Sequence, residues 1–517
     1  MTADSLSQML SDFLAGAHAA IVVEDCAVAF DLAESKYSIS GEHNKCLLHL
    51  WSSERNVVRR VLDAEVKGTT LRLQEQRMGQ NRPTRLDFYR DRDRRSPAAR
   101  QTARFAYAAR AQRALGRHFP GWALNRFTTK MDLHRSFGPA YLRGLLQQGQ
   151  RALAVVGVNA QETQTTIDGA LIYGLLWLDA CRHAQKDRRL VEGLVMVLPK
   201  GMLALTQQRM VHLHPTAAKW QLYEFDERDD ALGPFEIAQS GNLATRLVHA
   251  TDEAQAREHF AHSIARIRSI LPQCEVIVLS PAMISFRLRG LEFAQARAAH
   301  DPRNFQSGQE IAFGLGAEER VLDERNESQF VDLLHLAAAI RHKDGPKSHP
   351  LWRMHPERWL ESVVFGNVEA LDGRLRTECV YSQVPAFSAA DRAMIDVLAL
   401  TREKRLAVVE LKAEEDIHLP LQGLDYWSRV AWHQERGEFR KFCYFPGQEL
   451  SALKPLLLLV APALHVHPAT DTILRYLSPE IEWELVGIDE RWRDGMRVVF
   501  RKRASDSRNP IADRRSA

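Results

Sequence analysis

Apolar positions along this chain of 517 residues fall into two kinds of run, and their spacing marks out the elements. Between residues 393 and 427, two continuous runs, Met394–Leu400 and Leu406–Leu411, are divided by the polar turn Thr401-Arg402-Glu403-Lys404. That pattern predicts a β-hairpin of two buried strands. A strand is expected before it at R-T-E-C-V-Y-S-Q-V, and L-P-L-Q-G-L-D-Y-W opens a helix after it. Further on, Pro455–Ala461, Glu482–Ile488 and Arg497–Arg501 predict strands and Thr470–Leu477 a helix. Upstream, apolar residues at Phe260, Ile264, Ile267 and Leu271 share one helical face and predict a helix over 254–271. Further helices are expected over 5–15, 100–117 and 327–342. From Ala19 to Arg77 the runs are short and closely spaced, which predicts a small antiparallel module.

Three charges interrupt the apolar strands of the hairpin: Asp396, Glu410 and Lys412. Glu410 and Lys412 are two apart, so a strand sets them on the same face. Asp396 lies on the partner strand, within reach of Glu410. Charges are buried only when paired or metal-bound, so two carboxylates converging beside an ammonium point to a Mg2+ or Mn2+ site. Hard divalent cations take carboxylate and carbonyl oxygens, which Asp396, Glu410 and the Leu411 carbonyl could supply. Gln422 and Tyr426, four apart, share a face of the following helix. The bland alternative is an exposed hairpin with a chance ion pair.

These residues resemble the PD-(D/E)xK nuclease superfamily. Asp396 matches its metal-binding aspartate and Glu410-Leu411-Lys412 its E-x-K, while Gln422 and Tyr426 resemble the Q-x-x-x-Y extension of RecB-like members. The hairpin is also similar to the catalytic domain of NucS (EndoMS)-type DNA endonucleases, and the resemblance covers residues 355 to 490. One departure is Ile395, where the superfamily often has proline. The resemblance implies an α/β fold with a restriction-endonuclease-like mixed sheet flanked by helices. It implies Mg2+-dependent phosphodiester hydrolysis, with Asp396 and Glu410 on the metal and Lys412 positioning the attacking water. Gln422 and Tyr426 would shape or brace the site. Glu361 stands where a first-helix glutamate often joins the metal; a capping or surface role is the alternative. DNA is the expected partner of an endonuclease of repair or defence. An RNA or cyclic-oligonucleotide nuclease, or a non-cutting nucleic-acid-binding protein, is the other reading.

The same pattern occurs twice. A-L-A-V-V-G-V-N (152–159) echoes R-L-A-V-V-E-L-K (405–412), and Tyr173 falls in register with Tyr426. Pro199 then matches Pro462, Trp220 matches Trp483 and Glu227 matches Glu490, after an insertion near R-G-E-F-R-K-F-C-Y-F-P-G in the second run. An ordered series with one change of offset indicates internal duplication. In this alignment Arg143, Gly157 and Asn159 replace Asp396, Glu410 and Lys412, and Gly169 or Asp168 replaces Gln422, so the first copy is degenerate. The expected organisation is a β-rich module (1–95), the degenerate nuclease-like domain (96–235), an α/β connecting region (236–350), the nuclease domain (351–503) and a disordered tail (504–517). One cutting centre in a pseudo-dimeric shape would nick duplex DNA unless two chains associate, and a homodimer is left open.

Composition narrows the class only slightly. Hydrophobic residues make up 45% and charged residues 26% of the chain, which are globular values. A net charge of +4 and pI of 8.7 permit a nucleic-acid groove without demonstrating one. The charged stretch over 90–100 reads as a solvated linker or a phosphate-contacting arm. Six scattered cysteines without C-x-x-C read as buried thiols of a reducing, cytoplasmic setting. His433, His465 and His467 read as satisfied or surface histidines, since hard-metal sites prefer oxygen. No apolar run reaches ~18 residues, so no membrane span is expected, and the first residues lack the basic stretch of a signal peptide. No G-x-x-x-x-G-K-(S/T) occurs.

Overall fold

A computed structural model describes residues 2–14, 20–24, 27–32, 35–42, 45–51, 56–67, 70–77, 84–90, 97–132, 136–184, 189–238, 245–300, 307–315, 319–388 and 392–507. Most of the charged stretch at 90–100 and of the C-terminal tail lies outside these residues. The chain divides into two compact units, each made of two separated segments. The first joins Met1–Arg94 to Ala250–Trp359, and the second joins Arg95–His249 to Leu360–Ala517.

The first unit holds two antiparallel sheets. One has seven strands from the N-terminal segment, and the other has five strands between Glu275 and Val321. Helices Glu253–His259, Ala261–Ile270 and Glu327–Ile340 pack on the five-stranded sheet through Phe260, Ile267, Phe330 and Leu334. The helix expected over 254–271 is thus two helices. Phe260 leaves helical geometry (φ −95°, ψ 17°) while its ring is fully buried. Lys36 of the N-terminal segment forms ion pairs with Glu292 and Glu319 of the later one, which ties the two segments into one body.

The second unit contains two mixed sheets. The first is built from β1 (Ala123–Thr128), β2 (Tyr141–Gln148), β3 (Arg151–Val158), β4 (Leu190–Pro199), β5 (Lys219–Asp226) and β6 (Ala231–Phe235). Its helices are α1 (Pro97–His118), α2 (Ala170–His183) and α3 (Ala204–Val211). The second half begins with α4 (Pro356–Gly366), whose later turns belong to this unit. It continues with β7 (Leu375–Ser388), β8 (Arg392–Thr401), β9 (Leu406–Leu411), α5 (Leu419–Glu435), β10 (Leu456–Pro462), α6 (Thr470–Leu474), β11 (Trp483–Ile488) and β12 (Val498–Arg503).

The strand orders are β6-β5-β4-β3-β2-β1 and β12-β11-β10-β9-β8-β7, and the latter is extended at the β7 edge by Thr245–Leu247. In both sheets the first three strands form an antiparallel meander, the next two pairings are parallel and the last is antiparallel. A parallel pairing needs a crossover, and α2 and α5 supply it at matching places.

The centre of each sheet is dry. All six residues of β9 and all seven of β10 are buried. Such strands, covered on both faces, read as continuous apolar runs, which is why the sequence marks them so clearly. Each buried Val or Leu contributes about 1.5–3 kcal/mol relative to exposure. The hairpin turn closes with Lys404 at φ +62° and its N–H donating to the Thr401 carbonyl.

Candidate active site

Apolar β8 and β9 carry their charges at one end of the ladder. The antiparallel pairing runs from Leu400↔Leu406 to Val397↔Val409, so Asp396 and Glu410 are the next residues outward and face one another across the strands. Glu410 is 1% exposed and Lys412 8%. Lys412 Nζ lies 3.3 Å from Glu410 Oε1. Half-buried Asp396 accepts a hydrogen bond through Oδ2 from the Leu411 N–H at 3.0 Å. Strand alternation sets Glu410 and Lys412 on one face, and the ladder adds the aspartate. Removing an acid and a base from water costs several kcal/mol per ion even after relaxation, so this end of the sheet is built around charge.

Across β8 from Glu410, Gln383 of β7 stands opposite Asp396, between the pairs Ser382↔Val397 and Val384↔Ile395. Its backbone is left-handed (φ +52°), and its Nε2 donates to Glu361 Oε2 at 3.0 Å. Glu361 is buried on α4 and is linked to this row through Gln383. Among the described residues, no three His, Cys, Asp or Glu side chains converge as a metal-holding group. The structure therefore gathers Asp396, Glu410 and Lys412 directly and sets Glu361 behind Gln383.

The helix α5 seals the other side. Gly423 permits this: a Cβ there would lie 2.4 Å from Leu459 Cδ2 and 3.6 Å from Glu410 Cβ. One residue earlier, Gln422 Oε1 is buried and accepts no hydrogen bond among the described residues. Tyr426 follows one turn on and is half-buried. His418 stands at the N-terminal end of α5, its backbone N–H donating to Asp416 Oδ1. Burial lowers the pKa of its imidazole, against the pull of Asp416.

The sequence does not announce Gln383, His418, Gly423 or Arg209. Arg209 sits on α3 of the first half, is 5% exposed, and grips Asp425 of α5 at 3.0 and 2.7 Å while donating to the Asp168 carbonyl at 2.6 Å. No local pattern links residues so far apart. The available signal was weak: a glycine directly after Gln422.

Ladder register also corrects the alignment of the two halves. Leu194 pairs with Trp220 as Leu457 pairs with Trp483. Two residues on, Met196 pairs with Val156 as Leu459 pairs with Glu410. Val156 in turn pairs with Arg143, at the place of Asp396. Val156 and Val158, not Gly157 and Asn159, therefore occupy the places of Glu410 and Lys412. Gly174 lies against Leu194 and Met196 as Gly423 lies against Leu457 and Leu459, so Tyr173, rather than Gly169 or Asp168, takes the place of Gln422. The two loops after β3 and β9 differ in length, which shifts the helices relative to the strands and separates Tyr173 from Tyr426.

No protein-family model matches the chain, and no curated protein matches it. A solved structure titled as an EndoMS–dsDNA2 complex aligns over 43% of this chain and 95% of that chain, with 11% identity and a TM-score of 0.16. That likeness is too loose to establish a common fold. No helix among the described residues is long and apolar enough to cross a membrane.

Proposed function

We propose that the chain is a metal-dependent nuclease of the PD-(D/E)xK kind, acting as an endonuclease on DNA, and that its two mixed sheets are two copies of a restriction-endonuclease-like fold. The observation that carries this reading is the buried Glu410–Lys412 pair at 3.3 Å, beside Asp396 anchored to the Leu411 N–H, at the end of two central strands.

The donor set fits a hard cation. Asp396, Glu410 and the Leu411 carbonyl offer oxygens and no soft ligand. These residues would hold Mg2+ or Mn2+, which when bound lowers the pKa of water and neutralises charge on a phosphate. The chain's own groups do the rest. Asp396 is held beside Glu410 and Lys412 by the Leu411 N–H. Lys412, fixed by Glu410, orients the attacking water or stabilises the charge developing on the phosphate. The buried acceptor of Gln422 can orient a water or a substrate donor from the helix side.

The test is a cleavage panel. Purified wild type and Asp396→Ala meet supercoiled plasmid, single-stranded, branched and mismatched DNA, RNA and cyclic oligonucleotides, with Mg2+, Mn2+ or EDTA. Cutting of DNA by wild type, abolished by EDTA and by the substitution, supports the reading. Cutting confined to RNA or a cyclic oligonucleotide moves the substrate, and binding without cutting overturns the enzymatic assignment.

A further inference from the structure

The two halves of the second unit meet through corresponding parts. Residues 212–214 of the first half run antiparallel to residues 476–478 of the second, with Leu213 bridging Leu477. His214 N donates to the Tyr476 carbonyl and Ser478 N to the His212 carbonyl, both at 2.8 Å. These segments occupy matching places, each between the short helix and the fifth strand of its half. Around them, α2 packs on α6 and α3 packs on α5, so each half's long crossover helix meets the other's short one. Reciprocal pairing of equivalent patches is the property of an isologous two-fold interface. Here both patches belong to one chain.

The two pseudo-equivalent centres are not alike. In the first half Arg143 stands at the place of Asp396 and is 2% exposed. Its guanidinium lies 4.3 Å from the Phe137 ring centroid and 5.7 Å from that of Trp177, and it donates to the Lys130 carbonyl. Val156 and Val158 take the places of Glu410 and Lys412 and are fully buried. A fixed cation enclosed by rings, with two aliphatic neighbours, offers no acidic oxygen to a hard ion.

We infer that this chain is its own dimer: the first half replaces a second subunit, and a single chain cuts one strand of a DNA duplex per encounter. The inference rests on the nuclease reading for its chemistry and on the interface for its stoichiometry. The strands of a duplex are related by local two-fold axes, so a two-fold protein presents one centre to each strand. With one centre filled by Arg143, the second strand has no partner chemistry. The two-fold patch is covered within the chain, which removes the surface through which another copy would supply the missing site.

Sedimentation and plasmid cleavage test this together. The expected mass is that of one 58.8 kDa chain at the concentrations used for cleavage. Supercoiled plasmid should pass to open circle, with linear product forming only by later, independent nicks. A stable dimer overturns the inference, as does linear product appearing in a single encounter without open-circle accumulation. If no DNA is cut, the nuclease reading falls, while the mass still decides whether the first half stands in for a subunit. A second arm reinstalls the missing centre with Arg143→Asp, Val156→Glu and Val158→Lys, expected to raise the linear fraction several-fold. Should that variant fail to fold, an end-labelled duplex with each strand marked in turn replaces it: cuts on one strand per molecule support the inference, and paired cuts overturn it.

Discussion

The two halves of the second unit share strand order, strand direction and crossover helices, yet place opposite chemistry at the same point of the sheet. Where the second half has Asp396, Glu410 and Lys412, the first has Arg143, Val156 and Val158. The frame is held by apolar strands and survives either set. The chemistry rests on a few side chains at one end of the ladder. The sheet therefore keeps its shape with either set, because these side chains are not what holds it together. Val156 and Val158 even relieve the first half of the desolvation that Glu410 and Lys412 impose on the second.

The largest expected effect sharpens that contrast. Glu410→Gln and Lys412→Ala should each lower cleavage by roughly 10²–10⁴-fold, with the circular dichroism spectrum unchanged. Conservative changes on the first half's surface, such as Lys200→Gln, should leave the rate as it is. A rate insensitive to Glu410 would break the comparison outright, because the two halves would then be equally silent.

Next comes the clamp between the halves. Arg209→Ala removes the partner of Asp425 at a site only 6% and 13% exposed on the two side chains. Breaking a buried pair costs about 3 kcal/mol, read as a lower denaturation midpoint. Asp425→Asn should cost less, since it keeps an acceptor for the guanidinium. Equal stability of Arg209→Ala and wild type would mean that the halves do not depend on this contact.

Gly423→Ala tests how closely the helix must lie on the sheet beside Glu410. Its Cβ would meet Leu459 Cδ2 at 2.4 Å, and overpacking of this kind costs about 1–3 kcal/mol. Gly174→Ala in the first half meets Met196 Sδ at 2.6 Å, and the flexible thioether should yield more readily. Both should be destabilising, but only Gly423→Ala should also slow cleavage.

The smallest effect is in pH. Burial lowers the pKa of His212, His418, His433 and His467 below the ordinary imidazole value. The unfolded chain binds these protons more readily than the folded one, so stability is full above pH ~6.5 and declines as pH falls below it. Thermal melts between pH 7.5 and 5 should show a progressive loss, and His418→Gln should flatten part of it. A melting temperature constant over that range would show that these rings protonate freely in the folded state.

The hairpin, its turn and its three charges were legible from residue order alone, because strands covered on both faces demand unbroken apolar runs and any charge within them stands out. The strands Leu456–Pro462 and Trp483–Ile488 were legible for the same reason, and the helix over 327–342 through apolar residues at helical spacing. The break at Phe260 was not, since helical spacing continues through it and only packing against the five-stranded sheet shows the backbone leaving the helix. Sequence matching also paired Gly157 with Glu410, because apolar strands slide past one another by one residue with little change in composition. Hydrogen-bonded register removes that freedom, since a shift of one residue would turn every side chain to the opposite face.

What the sequence determined by itself was local: where the chain is apolar enough to form strands, where it turns, and which charges sit inside those strands at same-face spacing. Tertiary structure decided everything that depends on distant residues. It set Gln383 opposite Asp396, locked Asp425 to Arg209 and put Arg143 at the place of Asp396. It also joined Met1–Arg94 to Ala250–Trp359 around the segment between them. The physical reason is that propensity and periodicity act between neighbours in the chain, whereas register, burial and ion pairing act between neighbours in space.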